Sequence, residues 1–585
     1  MFSVLKNLSW FFKENWRQYT IAIIFLLFVS LLEVIPPRLI GVSIDLIHQG
    51  TLTTGSLVQL IAVFCVLTVL MYAFSYIWLN KLFGSAYLLE RSYRAKIMNH
   101  LLKMTPTFFE KNRTGDLMAR ATNDLKAVAL TAGFGILTLV DSTMFLVIIL
   151  FTMGFLVSWK LTLAALLPLP IMAILMKVYG KIVHERFTKA QNAFGNMNDQ
   201  VLESIAGVRV VRAYVQEGPD QMRFKDVTDD VLQKNISVAK IDALFEPTIK
   251  VLVGLSYLIG LGYGAFLVFY NEITLGELVT FNIYLGMLIW PMFAIGELIN
   301  IMQRGNASLN RVIETLTYNP DVQDVSGLKK VEKPETISFA KVSFSYPSSQ
   351  QDNLSQINFS LQPGQTLGVV GKTGSGKTTL LKQLLREYPI GSGLITISGH
   401  NLEEIGMKTL KSWIGYVPQE QILFSRTIKE NILFGKEDAS EDEVYRVLKL
   451  SSFRNDVETL PKGLETLVGE KGVSLSGGQK QRISIARALL VNPEILILDD
   501  AMSAVDGKTE AQIIENIRSE RGGKTTFIST HRLSAVKHAD LILVLEDGKV
   551  VEEGTHTQLI NNNGWYKQQY EHQLLEASVS EGRAN

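Results

Sequence analysis

The segment Gly371-Lys372-Thr373-Gly374-Ser375-Gly376-Lys377-Thr378-Thr379 carries residue types that bind phosphate, in a spacing that fits the P-loop at every defined position. Its glycines let backbone N–H groups close around phosphate oxygens, and the helical stretch Leu380 to Arg386 adds the positive potential of a helix N-terminus. Lys377 is placed for the outer phosphates of a nucleoside triphosphate, and Thr378 offers its hydroxyl to Mg²⁺. The short apolar run Leu367-Gly368-Val369-Val370 supplies the preceding strand. A second run, Ile495-Leu496-Ile497-Leu498, delivers Asp499 and Asp500 at its end, where ligands of open α/β sheets bind. Asp499 is placed to hold Mg²⁺, directly or through water. These two elements define a P-loop NTPase, and alone they fit a helicase, a kinase or a recombination protein equally well.

A third element narrows the reading. Leu475-Ser476-Gly477-Gly478-Gln479, followed by Lys480, Gln481 and Arg482, sets small residues at a helix start, which suits a second phosphate cradle. Here the sequence resembles the ATP-binding cassette family, whose signature reads as these residues do. The resemblance implies that two cassettes sandwich two ATP molecules, the signature of one reaching the γ-phosphate held by the other. It continues residue by residue. Tyr346 resembles the aromatic that stacks on adenine, and Gln419 in Val417-Pro418-Gln419 resembles the Q-loop residue near Mg²⁺. Ser503-Ala504-Val505-Asp506 resembles the D-loop, and His531 in Ser529-Thr530-His531-Arg532 the switch histidine that contacts the γ-phosphate. Taken alone, Tyr346 reads equally as a strand aromatic, Gln419 as a loop residue and His531 as a surface histidine.

One position departs from the family pattern. The residue after the Asp499 carboxylate is normally Glu in active cassettes, oriented toward the attacking water, and here it is Asp500. A side chain one methylene shorter draws the carboxylate back by roughly an ångström, and misplacement on that scale costs about a hundredfold in rate. The expectation is a site that binds ATP well and hydrolyses it slowly, with Asp500, His531 and Gln419 as its catalytic group.

These residues occupy one half of the chain. At 585 residues it exceeds what a single core supports, and its 47% apolar and 19% charged residues are unevenly divided. From Thr336 the alternation of Ile337, Phe339, Val342, Phe344 and Tyr346 marks the start of an α/β domain at 336–570, followed by a polar tail at 571–585. Before it, six apolar stretches are long enough to span a bilayer, at about 19–40, 57–79, 130–157, 161–179, 244–269 and 275–302, within a transmembrane domain of 19–310, and 311–335 reads as linker. Lysines and arginines crowd the connections at 81–129 and 181–243, whereas Asp45 to Ser56 and Asn271-Glu272 hold none, which places both termini and the cassette in the cytoplasm. The two basic connections have few Gly or Pro breakers and read as helices continuing out of the membrane. Pro36-Pro37 and Trp290-Pro291 predict kinks. Residues 1–18 mix Lys6, Lys13, Glu14 and Arg17 with Trp10, Phe11, Phe12 and Trp16, as an interfacial amphipathic helix does. Cys65 is the sole cysteine, and Lys+Arg 57 nearly balances Asp+Glu 56, which excludes internal disulfides and gives no reason to expect nucleic acid. Glu33, Asp141 and Glu297 fall within spans, where a carboxylate is costly unless it meets a cavity or partner, so they are candidate contacts for cargo.

The fold class is thus a polytopic α-helical membrane domain followed by an ABC-type P-loop NTPase domain. The order of six spans and one cassette resembles the exporter branch of the family. Phe108-Phe109 through Gly115, Leu117, Arg120 and Asp124, and Glu203, Gly207, Arg212 and Tyr214, look like its two intracellular loops, which implies coupling helices that dock on cassettes. A degenerate site beside an intact signature resembles heterodimeric multidrug exporters, and the sequence is similar to the smaller subunits of such pairs. This resemblance implies a second, non-identical half-transporter carrying the catalytic Glu, hydrophobic small molecules as cargo, and a cell-membrane location among lipids. A homodimeric exporter of lipids or peptides, and an ATP-binding sensor, remain open alternatives.

Overall fold

The computed structural model describes residues 3–325, 327–469 and 475–582. The chain divides into two compact units. One comprises the chain up to His100 with Gly115–Thr317, and the other Leu101–Thr114 with the chain from Tyr318 onward.

The first unit is helical. Among the described residues five helices are long and apolar enough to cross a membrane: Trp16–His48, Thr54–Leu101, Thr114–Leu166, Glu217–Phe269 and Leu275–Thr317. The fourth expected span, 161–179, is not one helix of this kind. The run from Thr114 bends at Ser158, whose backbone is extended (φ −164°) and whose hydroxyl accepts the Leu161 N–H, and a further break falls at Leu167 before Pro168. The helix Pro168–Ala206 then meets Lys177 and Lys181 within its first turns, so the apolar stretch is shared between two helices. Both proline sites interrupt their helices: Ile35–His48 starts afresh with proline in its first turn, and Ile289–Thr317 follows a break at Leu288. Gly41 and Gly276 let Ile35–His48 and Leu275–Met287 cross backbone to backbone, since a Cβ on Gly276 would lie 2.0 Å from the Gly41 carbonyl oxygen.

Three boundaries differ from those expected. Residues 3–14 form two short helices, Ser3–Asn7 and Ser9–Glu14, whose Val4, Leu8 and Phe11 are buried in protein, while Lys96 lies 3.7 Å over the Trp10 ring. The apolar side chains therefore meet the chain itself instead of forming one lipid-facing helix. The linker expected at 311–335 begins helical, because Ile289–Thr317 runs on past Arg311. The expected polar tail at 571–585 is helical as far as Gly582, within the helix Trp565–Gly582, and 583–585 lie outside the described residues.

The second unit is built on two sheets. Strands β1 (Ile337–Phe344), β2 (Leu354–Leu361), β4 (Ser392–Ile397) and β5 (His400–Asn401) form an antiparallel sheet in the order β2-β1-β4-β5. The second sheet runs β10-β9-β3-β8-β7-β6, with β3 (Thr366–Gly371), β6 (Ile414–Val417), β7 (Ile495–Asp499), β8 (Thr525–Ser529) and β9 (Leu541–Glu546) parallel and β10 (Lys549–Gly554) antiparallel at the edge. β7 and β8 are buried along their whole length, which explains their unbroken apolar and β-branched sequence. The parallel register brings the C-terminal ends of β3, β8 and β7 side by side, so the segments that follow them emerge at one edge.

Candidate functional site: a phosphate-binding edge

Three adjacent strands deliver the P-loop after β3, Thr530 and His531 after β8, and Asp499 with Asp500 at the end of β7. The P-loop conformation requires its glycines. Gly371 and Gly376 have φ of 147° and 100°, and a Cβ there would lie 2.2 Å from the Leu545 carbonyl oxygen and 2.8 Å from that of Asn353. Gly376 precedes the helix Lys377–Leu384, which directs its free N–H groups into the loop formed by Thr373, Gly374 and Ser375. Ser375 Oγ is buried and lacks a hydrogen-bond partner.

The Thr378 hydroxyl donates to Asp499 Oδ1 at 3.0 Å. Asp499 is fully buried, and its Oδ2 accepts no hydrogen bond. Burial pushes this carboxyl above the ordinary carboxylate range, opposed by the Thr378 hydroxyl. Hydroxyl, carboxylate and an unsatisfied buried oxygen are hard ligands suited to Mg²⁺. Among the described residues no group of three or more His, Cys, Asp or Glu could hold a metal ion, so a cation at Thr378 and Asp499 would draw its remaining ligands from phosphate and water.

Lys377 is buried, and its ammonium donates to the Gly371 and Lys372 carbonyls at 2.9 and 2.8 Å. Burial lowers its pKa, and the charges of Asp500 and Asp499 oppose that shift. The His531 imidazole is likewise held below its ordinary value by burial and by Lys377, so it is neutral at neutral pH beside the P-loop. Asp500 has a left-handed backbone (φ 46°), fixed by its N–H donating to the Ser529 carbonyl at 2.9 Å.

Other expected site residues take different parts. The Lys372 ammonium pairs with Glu546 at 2.9 Å. The Tyr346 hydroxyl donates to Thr379 Oγ1 at 3.1 Å, and its ring meets Tyr388 edge-on with centroids 5.0 Å apart. Gln419 lies two residues beyond β6, exposed, and its carbonyl accepts from the Gln421 side chain. Asp506 caps the helix Gly507–Glu520 by accepting the Thr509 N–H at 2.9 Å.

The signature forms a helix start. Ser476 and Gln479 make reciprocal capping bonds at the head of Gly477–Leu490, with Leu475 buried beneath and Ser476 and Gly477 exposed. Among the described residues no hydrogen bond joins Leu475–Gln479 to the P-loop. The signature glycines sit against the D-loop instead, with a Cβ on Gly478 falling 2.9 Å from the Ala504 carbonyl oxygen. Sequence reasoning missed the side chains that tie these loops together. Buried Gln481 donates to Ser503 Oγ at 3.0 Å and accepts the Ala504 N–H at 2.9 Å, while Arg532 donates to the Val505 carbonyl and to buried Glu510, each at 2.7 Å. The Lys480-Gln481-Arg482 and His531-Arg532 neighbourhoods were the available signal.

Of the three membrane carboxylates, Asp141 accepts the Trp290 indole N–H at 2.9 Å and Glu297 pairs with Arg304 at 3.6 Å. Glu33 ends the helix Trp16–Glu33, half-buried and within electrostatic reach of Asp141.

This fold and phosphate edge define a membrane-anchored nucleotide-binding machine, and comparison with known proteins agrees. Residues 19–292 match the ABC transporter transmembrane region and residues 354–503 match the ABC transporter family. The chain is 64% identical to YheI of Bacillus subtilis, described as a probable multidrug resistance ABC transporter ATP-binding/permease protein, over 98% of each chain. It is 42% identical to the multidrug resistance-like ATP-binding protein MdlA of Escherichia coli, over 99% of this chain and 98% of that one. A bacterial Atm1-family ABC exporter solved with ATP bound superposes with a TM-score of 0.77 at 25% identity, covering 95% of this chain and 98% of the other. The chain belongs to the ABC transporters, with an exporter-type transmembrane region and an ATP-binding cassette in one polypeptide. It is a multi-pass protein of the cell membrane that couples ATP hydrolysis to transport.

Proposed function

We propose that this chain is one half of a two-chain exporter of hydrophobic or amphipathic drugs, a BmrC-like subunit that pairs with a non-identical ABC half-transporter. The observation that supports a second chain is the contrast between two short cytoplasmic helices, and Asp500 in place of Glu supports a non-identical one. Pro106–Lys111 buries Thr107 and Phe108 within the cassette unit. Val208–Ala213 buries nothing in this chain, and Val208, Val210, Tyr214 and Val215 stand exposed around it. An apolar cluster of this kind on a cytoplasmic turn needs a covering surface, which the cassette of a second chain would provide. The exposed start of the signature helix needs a second chain in the same way.

In the proposed pair, Thr378 and Asp499 hold Mg²⁺, the P-loop and Lys377 hold the phosphates, and His531 reads the γ-phosphate. Asp500 reaches less far toward an attacking water than Glu would, so this site holds ATP and turns it over slowly. The signature residues Ser476 to Gln479 serve the partner's faster site. Closure and reopening of the cassettes would alternate access to the membrane half. The multidrug descriptions of YheI and MdlA support drug cargo, and the few carboxylates in the membrane half suit cationic compounds.

Affinity purification of the tagged chain from its native membrane, followed by ATP-driven uptake of a cationic dye into inverted vesicles, tests both parts. The proposal expects a second ABC chain in equal amount and concentrative uptake. Recovery of this chain alone would establish a homodimer, and absence of uptake at full ATP binding would favour a sensor.

A further inference from the structure

The segment carrying His531 belongs to neither helix nor strand between β8 and the turn at Leu533, so its backbone groups depend on side-chain partners. One partner comes from a helix that reads in sequence as a tail. Gln573 of Trp565–Gly582 donates from Nε2 to the His531 carbonyl at 2.8 Å and accepts the Leu533 N–H on Oε1 at 2.9 Å. One amide therefore clamps the backbone on both sides of Arg532. From the opposite direction the Arg532 guanidinium is fixed by the Ser503 and Val505 carbonyls and by Glu510. The backbone that bears the His531 imidazole is thereby held on both sides of Arg532. The helix bearing Gln573 is itself anchored, since Tyr566 is fully buried and its hydroxyl lies 2.8 Å from His556 Nδ1.

We infer that Gln573 is a positioning residue for His531, and that the C-terminal helix acts on γ-phosphate recognition through this two-bond clamp. The inference rests on the proposed role of His531. Loss of both bonds leaves the P-loop untouched but lets the switch segment wander, so the effect falls on contacts to the third phosphate and spares those to the first two. Neutral hydrogen bonds of this kind support an effect on the order of three- to tenfold.

The test uses the purified full chain in lipid nanodiscs and measures dissociation constants for Mg²⁺ADP and for the Mg²⁺ complex of the imido analogue of ATP. Gln573→Met keeps the side-chain volume and removes both bonds. It should lower the preference for triphosphate over diphosphate by about three- to tenfold, with ADP affinity unchanged and no further loss when combined with His531→Ala. Should Gln573→Met fail to fold, Gln573→Glu carries the same expectation, because it retains the acceptor for Leu533 and loses the donor to His531. An unchanged preference in Gln573→Met alongside a reduced one in His531→Ala would overturn the clamp alone. Equal losses for both nucleotides would reduce Gln573 to a structural residue and overturn it too. An unchanged preference in His531→Ala would remove the γ-phosphate role of His531, and the clamp with it.

Discussion

Tyr388 donates its phenolic proton to the carboxylate of Glu110, so a residue just beyond the P-loop helix is bonded to the short helix Pro106–Lys111. The same Tyr388 ring meets Tyr346 edge-on. Burial and then the Glu110 bond raise the phenol above its usual value, so it remains a donor throughout the physiological range. Tyr388→Phe keeps the ring contacts and removes the proton. In the reconstituted transporter it should leave nucleotide affinity unchanged while cargo stimulates ATP turnover less strongly, and comparing basal with dye-stimulated hydrolysis checks this.

Asp500→Glu restores the longer carboxylate. If reach limits the site, turnover of the assembled transporter should rise by roughly ten- to a hundredfold at that site. The left-handed backbone at this position suits Asp better than Glu, so the same variant should melt slightly lower, by about 1 kcal/mol of stability. Phosphate release and a thermal melt measured on one preparation separate the two effects.

Asp499→Asn removes the charge from the buried carboxylate that bonds Thr378. ATP affinity in the presence of Mg²⁺ should then fall to the level that the parent protein shows in EDTA. Titration of both proteins with and without chelator decides the matter, and a Mg²⁺ effect that survives intact would contradict the assignment.

Acidification bears on the helix that carries Gln573. Burial, then the charge of Lys537, lower the pKa of His556, so the folded state binds fewer protons than the unfolded one near the ordinary imidazole range. The stability it contributes is present above that range and is lost as pH falls through it. Amides of Trp565–Gly582 should therefore exchange faster at pH about 5.5 than expected from intrinsic rates, and His556→Gln should lessen that difference.

In the membrane unit, Gly276→Ala would drive a methyl group into the Gly41 carbonyl and Asp45. Overpacking of this sort costs about 1–3 kcal/mol. The variant should show lower yield in membranes and a lower melting temperature, whereas Gly296→Ala, which has open space around its Cβ, should match the parent.

The phosphate edge was legible in the sequence because its chemistry is local. Lys377 and Thr378 are neighbours at the start of the helix that follows the loop, and Asp499 ends an unmistakable buried strand. The proline breaks were legible for the same reason, since Pro36 and Pro291 act on their own turns. What escaped reading lies in pairs far apart in the chain. Nothing near Glu110 announces Tyr388, and nothing near Gln573 announces His531. The polar composition of 571–582 fits a helix that bonds through Gln573 as well as it fits a loose tail, and only the fold distinguishes them. The fourth expected span shows a third limit, because hydropathy registers 161–179 as continuous while Pro168 divides it.

Leu101–Thr114 counts with the cassette although it lies inside the membrane half of the sequence. Phe108 is buried there with its ring 4.9 Å from Tyr318, and Glu110 holds Tyr388. The exchangeable part of this transporter is consequently discontinuous. A chimaera that swaps cassettes at residue 318 inherits a foreign plug for the Phe108 seat, and one that carries residues 101–114 along with its donor cassette keeps lock and key together.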